Sequence, residues 1–314
     1  MNILVTIELA DRHLEQLRGA GEDVEVTVAA SSEEALELIP DADILIGGLN
    51  LDLYRRAERL RWVQSWGAGV DGILFKEFVE SDIRLTSAKG TVGVHLSEHA
   101  IALLLSLTRG IAQSVRETRW DNRMSIRKAS WELIDRTMGI VGLGGTGLDL
   151  ATRMAAFGTR IIAVDPEDVD VPACVESCWK MDRFHEMLGQ SDIVAVCAPL
   201  TPDTDGLFDD RAFDAMQDHA LLINVTRGRI VDEGALLAAL KGGKIVGAGL
   251  DVTPQEPLPE DHELWSLPNV VITPHTAGGS PNRDDRLLDL ITANIERFRK
   301  GEPLLSEIDK RKGY

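Results

Sequence analysis

The sequence predicts an α/β protein built of two parallel-sheet lobes, and three observations lead there. Its 314 residues exceed what one hydrophobic core usually holds. Short β-rich runs alternate with helical segments through the first ninety residues, which is the rhythm of βαβ units. The same rhythm restarts at Thr137, after a longer apolar-periodic segment from about Val94 to Glu117.

In the first lobe, strands are expected at Ile3–Ile7, Val24–Val28, Ile44–Ile46 and Trp62–Ser65. Ser32–Ile39 reads as a helix, and Ser31-x-x-Glu34 resembles a capping box at its start. Val94–Glu117 is too long for a routine βα connection and is expected to bridge the lobes. Beyond it, Gly139–Val141, Ile161–Val164, Ile193–Val196, Leu221–Asn224, Ile245–Leu250 and Val270–Thr273 read as six buried strands. Six suit a doubly wound dinucleotide fold. A last helix, about Pro281 to Lys300, is expected to cross back to the first lobe.

Composition narrows the function classes. Fifty-one acids against 33 bases give a net charge of −18, which disfavours a general nucleic-acid role because phosphate binding needs clustered Lys and Arg. No stretch approaches the roughly 18 apolar residues of a membrane helix. The start, Met1–Ile7, reads as a strand rather than a signal peptide. Cys174, Cys178 and Cys197 form neither CxxC nor a disulfide framework, so they read as small apolar fillers, with no metal assigned. A soluble cytoplasmic protein is expected.

Gly142-x-Gly144-x-x-Gly147 follows the run Met138–Val141 and opens the helix-like Leu148–Phe157. In that context the glycines give a tight turn, let backbone approach a pyrophosphate, and aim a positive helix end at it. Asp165 lies 18 residues beyond Gly147, at the end of the next strand, where a carboxylate can accept from ribose hydroxyls. It would repel a 2′-phosphate, by about 4 kcal/mol at 4 Å and an effective dielectric of 20. Pro166-Glu167-Asp168 offers no base to offset this, so NAD(H) is expected over NADP(H).

Several fragments then carry a resemblance over nearly the whole chain: Gly67-Ala-Gly-Val-Asp71, Ser97-Glu-His-Ala100, Gly142–Gly147, Ala198-Pro-Leu-Thr201, Asn224-Val-Thr-Arg-Gly228, Gly249-Leu-Asp-Val252, Glu256-Pro-Leu258 and Thr273-Pro-His-Thr-Ala-Gly278. With them the chain resembles the D-isomer-specific 2-hydroxyacid dehydrogenases. The resemblance implies that Arg227 holds the carboxylate and keto oxygen of a 2-keto acid, as a planar guanidinium can. It implies that His275 is the proton donor and acceptor, and that Glu256 pairs with it, orienting the ring and favouring its charged form. Asp251 is implied to accept from the nicotinamide carboxamide. Further cofactor contacts are implied at Gly145, Thr146, Ala198, Pro199, Val225, Thr226, Ala277 and Gly278. Amides of Ala68, Gly69 and Val70 could hold the substrate carboxylate as an anion nest. His95, His99, His185, His219 and His262 read as structural.

The expected architecture is therefore two Rossmann-like or flavodoxin-like lobes, residues 1–95 plus 281–314 binding substrate and residues 96–280 binding NAD, with the active site in the interlobe cleft. A homodimer through the NAD-binding lobe is the expectation for relatives. Thr146 departs from the apolar residue often found there, at little cost where backbone does the binding. Glu256 argues against a formate dehydrogenase, whose histidine pairs with glutamine. Ser65–Ala68 lacks the lysine of phosphite dehydrogenases, and the chain ends at Tyr314 without the regulatory domain of many phosphoglycerate dehydrogenases. A small 2-keto acid such as glyoxylate or hydroxypyruvate remains. The rival class is an NAD-sensing interaction protein related to the C-terminal-binding corepressors, which would bind cofactor and turn over nothing.

Overall fold

Continuous apolar runs become the inner strands of two parallel sheets. The computed structural model describes residues 1–314, and the chain divides into two units, Met1–Val92 with Ser280–Tyr314, and Gly93–Gly279. The first begins β1 (Asn2–Val5), α1 (Asp11–Arg18), β2 (Glu25–Val28), α2 (Ser32–Leu38), β3 (Ile44–Ile46), α3 (Leu51–Arg56), β4 (Trp62–Gln64), α4 (Lys76–Val79) and β5 (Arg84–Thr86). All strands are parallel in the order β2-β1-β3-β4-β5, a flavodoxin-like arrangement. Every residue of β3 is buried, as an inner parallel strand covered on both faces requires. The expected capping box forms with one change. Ser31 accepts from the Glu34 amide, but the Glu34 carboxylate returns to the amide of Ala30.

Strand β5 gave no signal in the sequence. It is three residues long and opens on Arg84, whose guanidinium forms two 2.7 Å bonds with Glu307. Tertiary pairing, not local propensity, makes it a strand.

The second unit runs α5 (Gly93–Thr108), α6 (Ile111–Glu117), α7 (Arg123–Ala129), β6 (Thr137–Val141), α8 (Gly145–Ala155), β7 (Arg160–Val164), β8 (Ser177–Trp179), α9 (Phe184–Gly189), β9 (Ile193–Val196), α10 (Asp210–Ala215), β10 (Leu221–Asn224), α11 (Glu233–Lys241), β11 (Gly247–Leu250), α12 (Glu263–Ser266) and β12 (Val270–Ile272). Its sheet is parallel throughout, in the order β12-β11-β10-β9-β6-β7-β8. The order reverses between β6 and β9, and open α/β sheets bind ligands beyond the carboxyl ends of strands at such a point.

Two expectations need correction here. The sheet has seven strands rather than six, because β8 adds three half-buried residues to the edge beside β7. The segment Val94–Glu117 is two helices. Gly110 between them adopts φ +64°, and a Cβ there would lie 2.4 Å from Ile126, so the break is built into the packing.

The last helix, α13 (Arg283–Lys300), belongs to the first unit. Asp284 and Asp285 sit in its first turn, Arg297, Arg299 and Lys300 in its last, and Gly301 ends it at φ +69°, all matched to the helix dipole and the left-handed cap. Arg12 and His13 of α1 both reach Asp285, at 2.9 and 2.8 Å. No helix is long and apolar enough to cross a membrane.

Candidate active site

The glycine turn is tightly constrained backbone. Gly142 leaves β6 at φ +92°, and a Cβ there would stand 2.8 Å from the backbone of Ala198, at the end of β9. A Cβ on Gly147 would stand 2.2 Å from the carbonyl oxygen of Gly142. A Cβ on Gly144, by contrast, would have no atom beyond its chain neighbours within 4 Å. The amides of Gly145, Thr146 and Gly147 are the first of α8 and so have no carbonyl one turn back to bond. Open space above unmatched amides at a helix start fits a diphosphate.

Asp165 is buried at the end of β7. One of its oxygens accepts from the amide of Leu143 at 2.8 Å, the other from the amide of Glu167 at 2.9 Å. It therefore pins the glycine turn to the neighbouring strand, and each oxygen keeps a lone pair for a further donor. The structure brings one base to this loop that the linear sequence hides. Lys180, just past β8, pairs with Asp168 at 2.7 Å and donates to the carbonyl of Pro166 at 3.1 Å.

Arg227, Asp251 and His275 follow the carboxyl ends of three adjacent strands. Register aligns Asn224 with Leu250 and Leu250 with Ile272, so the residues just beyond them emerge on one edge. Asn224 shapes the first of these loops, donating to the Arg227 carbonyl and accepting from the Thr226 amide. Gly228 packs so tightly on Thr253 that a Cβ would meet its carbonyl carbon at 1.9 Å. Thr253 in turn donates its amide to Glu256 at 3.1 Å. The other Glu256 oxygen lies 2.7 Å from Nδ1 of His275. With Nδ1 so engaged, Nε2 is the ring atom left to face a reactant, and the side chain is 48% exposed.

Asp251 is the most enclosed of the three. Its side chain has no exposure, and it accepts from the Thr273 hydroxyl at 2.6 Å and from the amides of Thr276 and Ala277 at 2.8 and 2.9 Å. These bonds hold the loop carrying His275. Val225 and Ala277 are also buried. Pro199 gives its carbonyl to Thr204, and Gly278 has open space where a side chain would be.

His99, classed as structural from the sequence, lies beside this loop, with Nε2 2.7 Å from the Thr273 hydroxyl. The contact spans 174 residues, which no local pattern could reveal. Of the other histidines read as structural, His219 meets Asp192, and His262 meets Glu233 and caps α12. The Cys197 thiol is enclosed although the residue as a whole is only half-buried, and desolvation pushes it up to about 12, which leaves it inert.

In the first unit, the Gly67–Asp71 segment follows β4. The amides of Ala68, Gly69 and Val70 donate to no group in the chain. Arg283 braces the segment, donating to the Trp66 carbonyl and lying 5.4 Å from the centre of its ring. The sequence gave Arg283 no role, because it is 217 residues away.

Comparison with known proteins points to one family. The profile of the D-isomer specific 2-hydroxyacid dehydrogenase NAD binding domain matches residues 101–277. The chain is 33% identical to the glyoxylate reductase of Korarchaeum cryptofilum, over 96% of this chain and 93% of that one. It is 31% identical to the D-3-phosphoglycerate dehydrogenase of Archaeoglobus fulgidus over 98% of its own length, and spans 59% of that longer protein. Among solved structures, an NADPH-dependent glyoxylate/hydroxypyruvate reductase from Sinorhizobium meliloti, in complex with NADP and sulfate, is 30% identical with a TM-score of 0.83, covering 100% of this chain and 99% of that one. A nicotinamide nucleotide is thus common ground, while the NADP in that neighbour leaves the choice of phosphate to local chemistry. On the strength of the matched domain and the full-length likeness, this chain belongs to the D-isomer specific 2-hydroxyacid dehydrogenase family.

Proposed function

We propose that the protein is an NAD(H)-dependent oxidoreductase that reduces small 2-keto acids to D-2-hydroxy acids. One observation carries this: the 2.7 Å pair of His275 Nδ1 and Glu256, on the sheet edge that also bears Arg227. Glu256 accepts the Nδ1 proton and fixes the ring, and Nε2 passes its proton to the keto oxygen as the carbonyl is reduced. General acid catalysis of this kind is worth about 10² to 10⁴ in rate. Arg227 takes the substrate carboxylate and polarises the keto oxygen with paired N–H groups. In the first unit, the free amides of Ala68, Gly69 and Val70 suit the same anion class. Gly142–Gly147 and Asp165 would hold the dinucleotide, which supplies the hydride when bound.

Preference for NAD(H) rests on the buried Asp165 carboxylate. Lys180 moderates it, because its pairing with the fully exposed Asp168 is a weak surface bridge that it can leave for a 2′-phosphate. The expected preference in kcat/KM is on the order of tenfold, and Lys180→Ala widens it. Glyoxylate and hydroxypyruvate are the favoured substrates, by analogy with the relatives named above. A homodimer through the cofactor unit is also proposed. Ile111, Val115, Trp120 and Met124 on and between α6 and α7 are half or more exposed, an apolar surface of the kind partners cover. Its mass in sedimentation equilibrium tests that. A cytoplasmic setting is part of the same proposal.

The central test is NADH consumption with glyoxylate, hydroxypyruvate, pyruvate, phenylpyruvate and a branched keto acid. His275→Ala and Arg227→Ala should each lower kcat/KM by about 10² or more. Cofactor binding with no turnover of any keto acid, or full turnover in the double variant, would sink the proposal.

A further inference from the structure

His275 occupies a backbone conformation that its residue type disfavours, at φ +52°. Such strain persists only where the surroundings over-determine it. Its own amide donates to the carbonyls of Asp251 and Thr273, at 2.8 and 3.0 Å. The Asp251 carboxylate then grips the chain on both sides of the histidine, through the Thr273 hydroxyl before it and the Thr276 and Ala277 amides after it. Thr273 has one hydroxyl proton, and a 2.6 Å contact with a buried carboxylate claims it. The 2.7 Å contact between Thr273 and His99 can then be satisfied in one way only, with Nε2–H of His99 as donor.

The fold explains why a helix residue reaches this loop. Leu103 of α5 packs on Gly249 of β11, where a Cβ would lie 2.9 Å from the leucine. His99 is one helical turn from Leu103, about 6 Å back along the same face. Asp251 is two strand residues past Gly249, about 6.6 Å further along. The two offsets match, and they bring His99 to 3.3 Å from the Asp251 carboxylate.

We propose that His99 is a positioning residue for the general acid: by donating to Thr273 it completes a buttress, His99 to Thr273 to Asp251, that holds His275 in its left-handed backbone and aims Nε2. This rests on the reading of His275 as proton donor. It assigns His99 no contact with substrate.

The experiment begins with wild-type turnover of a 2-keto acid, whose absence would overturn the underlying reading before any variant is made. His99→Phe removes the donor and should lower kcat about tenfold, since small misplacements of a catalytic group are costly, with KM for the keto acid and the NADH Kd within about twofold. His99→Gln keeps an N–H near the position of Nε2 and should recover kcat to within about threefold of wild type. Thr273→Val should match His99→Phe, and the double variant should be no worse than the poorer single one, because both break one chain of bonds. Should His99→Phe fail to fold, Thr273→Val against Thr273→Ser carries the same contrast. A second readout needs no turnover: in the cofactor-free protein, nitrogen NMR of the His275 ring should show one fixed Nδ1–H tautomer in wild type and an averaged ring in His99→Phe. Unchanged kcat and an unchanged His275 signal in His99→Phe overturn the proposal, as does equal loss in the Phe and Gln variants.

Discussion

Two glycine turns, one in each unit, do different physical work although both follow a parallel strand. In Gly142–Gly147 the glycines are demanded by the backbone itself: a Cβ at Gly142 or Gly147 would run into main chain of Ala198 or of Gly142. In Gly67–Asp71 the demand is weaker. A Cβ at Gly67 would sit 3.4 Å from the Gly69 carbonyl, an ordinary contact, while the amides of Ala68, Gly69 and Val70 stay unclaimed. The first turn is specified by close packing, and the second by the donors it leaves open. That difference says how each should fail.

Gly147→Ala should have the largest effect. Its Cβ would meet a carbonyl oxygen at 2.2 Å, and backbone on both sides cannot step aside as a side chain would. Overpacking of this kind costs about 3 kcal/mol, visible as a lower urea midpoint with the slope unchanged. A midpoint equal to wild type would show that the turn is not specified by packing. Gly144→Ala separates binding from folding. With nothing within 4 Å and an extended backbone at φ −80°, alanine fits the unliganded chain, so unfolding should be unchanged. Its methyl group would fill the space proposed for the diphosphate, and the NADH Kd measured by fluorescence titration should rise about tenfold, or about 1.4 kcal/mol. An unmoved Kd would place the anion elsewhere.

The same contrast explains what could be read in advance. The first turn was legible because its constraints are local: strand, glycines and helix fall within one short stretch, and Asp165 follows at the end of the next strand. The loops bearing Arg227, Glu256 and His275 were legible by resemblance, and the inner strands by their unbroken apolar runs. Two short edge strands were not. Strands β5 and β8 have three residues each and owe their form to a neighbour. The supports of the site were hidden for the same reason: His99 meets Thr273, Lys180 meets the Asp165 loop and Arg283 meets Trp66 across sequence separations that carry no periodic signal. The bonding of Asp251 was also unforeseeable, since it depends on three donors arriving from another strand's loop.

If the second turn works through its amides, whatever fixes their direction should matter more than the glycines. Arg283 is that support, because it bonds the Trp66 carbonyl, its guanidinium lies 5.4 Å from the centre of the ring, and its side chain is only 17% exposed. Arg283→Ala should raise KM for the keto acid about fivefold with kcat changed less, since a loosened nest weakens ground-state and transition-state binding alike. Lysine at this position keeps charge but loses the planar guanidinium and its directed donor, so it should resemble alanine. A drop in kcat with KM constant would instead put Arg283 in the chemical step.

Gly67→Ala should then do least, and its smallness is informative. The residue has no positive φ, and the nearest atoms, the Gly69 carbonyl and the Ser65 hydroxyl at 3.4 and 3.9 Å, tolerate a methyl group. Alanine also narrows the unfolded ensemble, which stabilises by about 0.5 kcal/mol where the native backbone permits it. Thermal unfolding should therefore move slightly upward, and KM should stay within about twofold. A KM raised tenfold at unchanged stability would mean that the substrate approaches over the Gly67 Cα itself, as the cofactor is proposed to approach over Gly144. The two turns would then share one logic, the absence of a side chain where a ligand must come close, and the distinction between packing and open donors would fall.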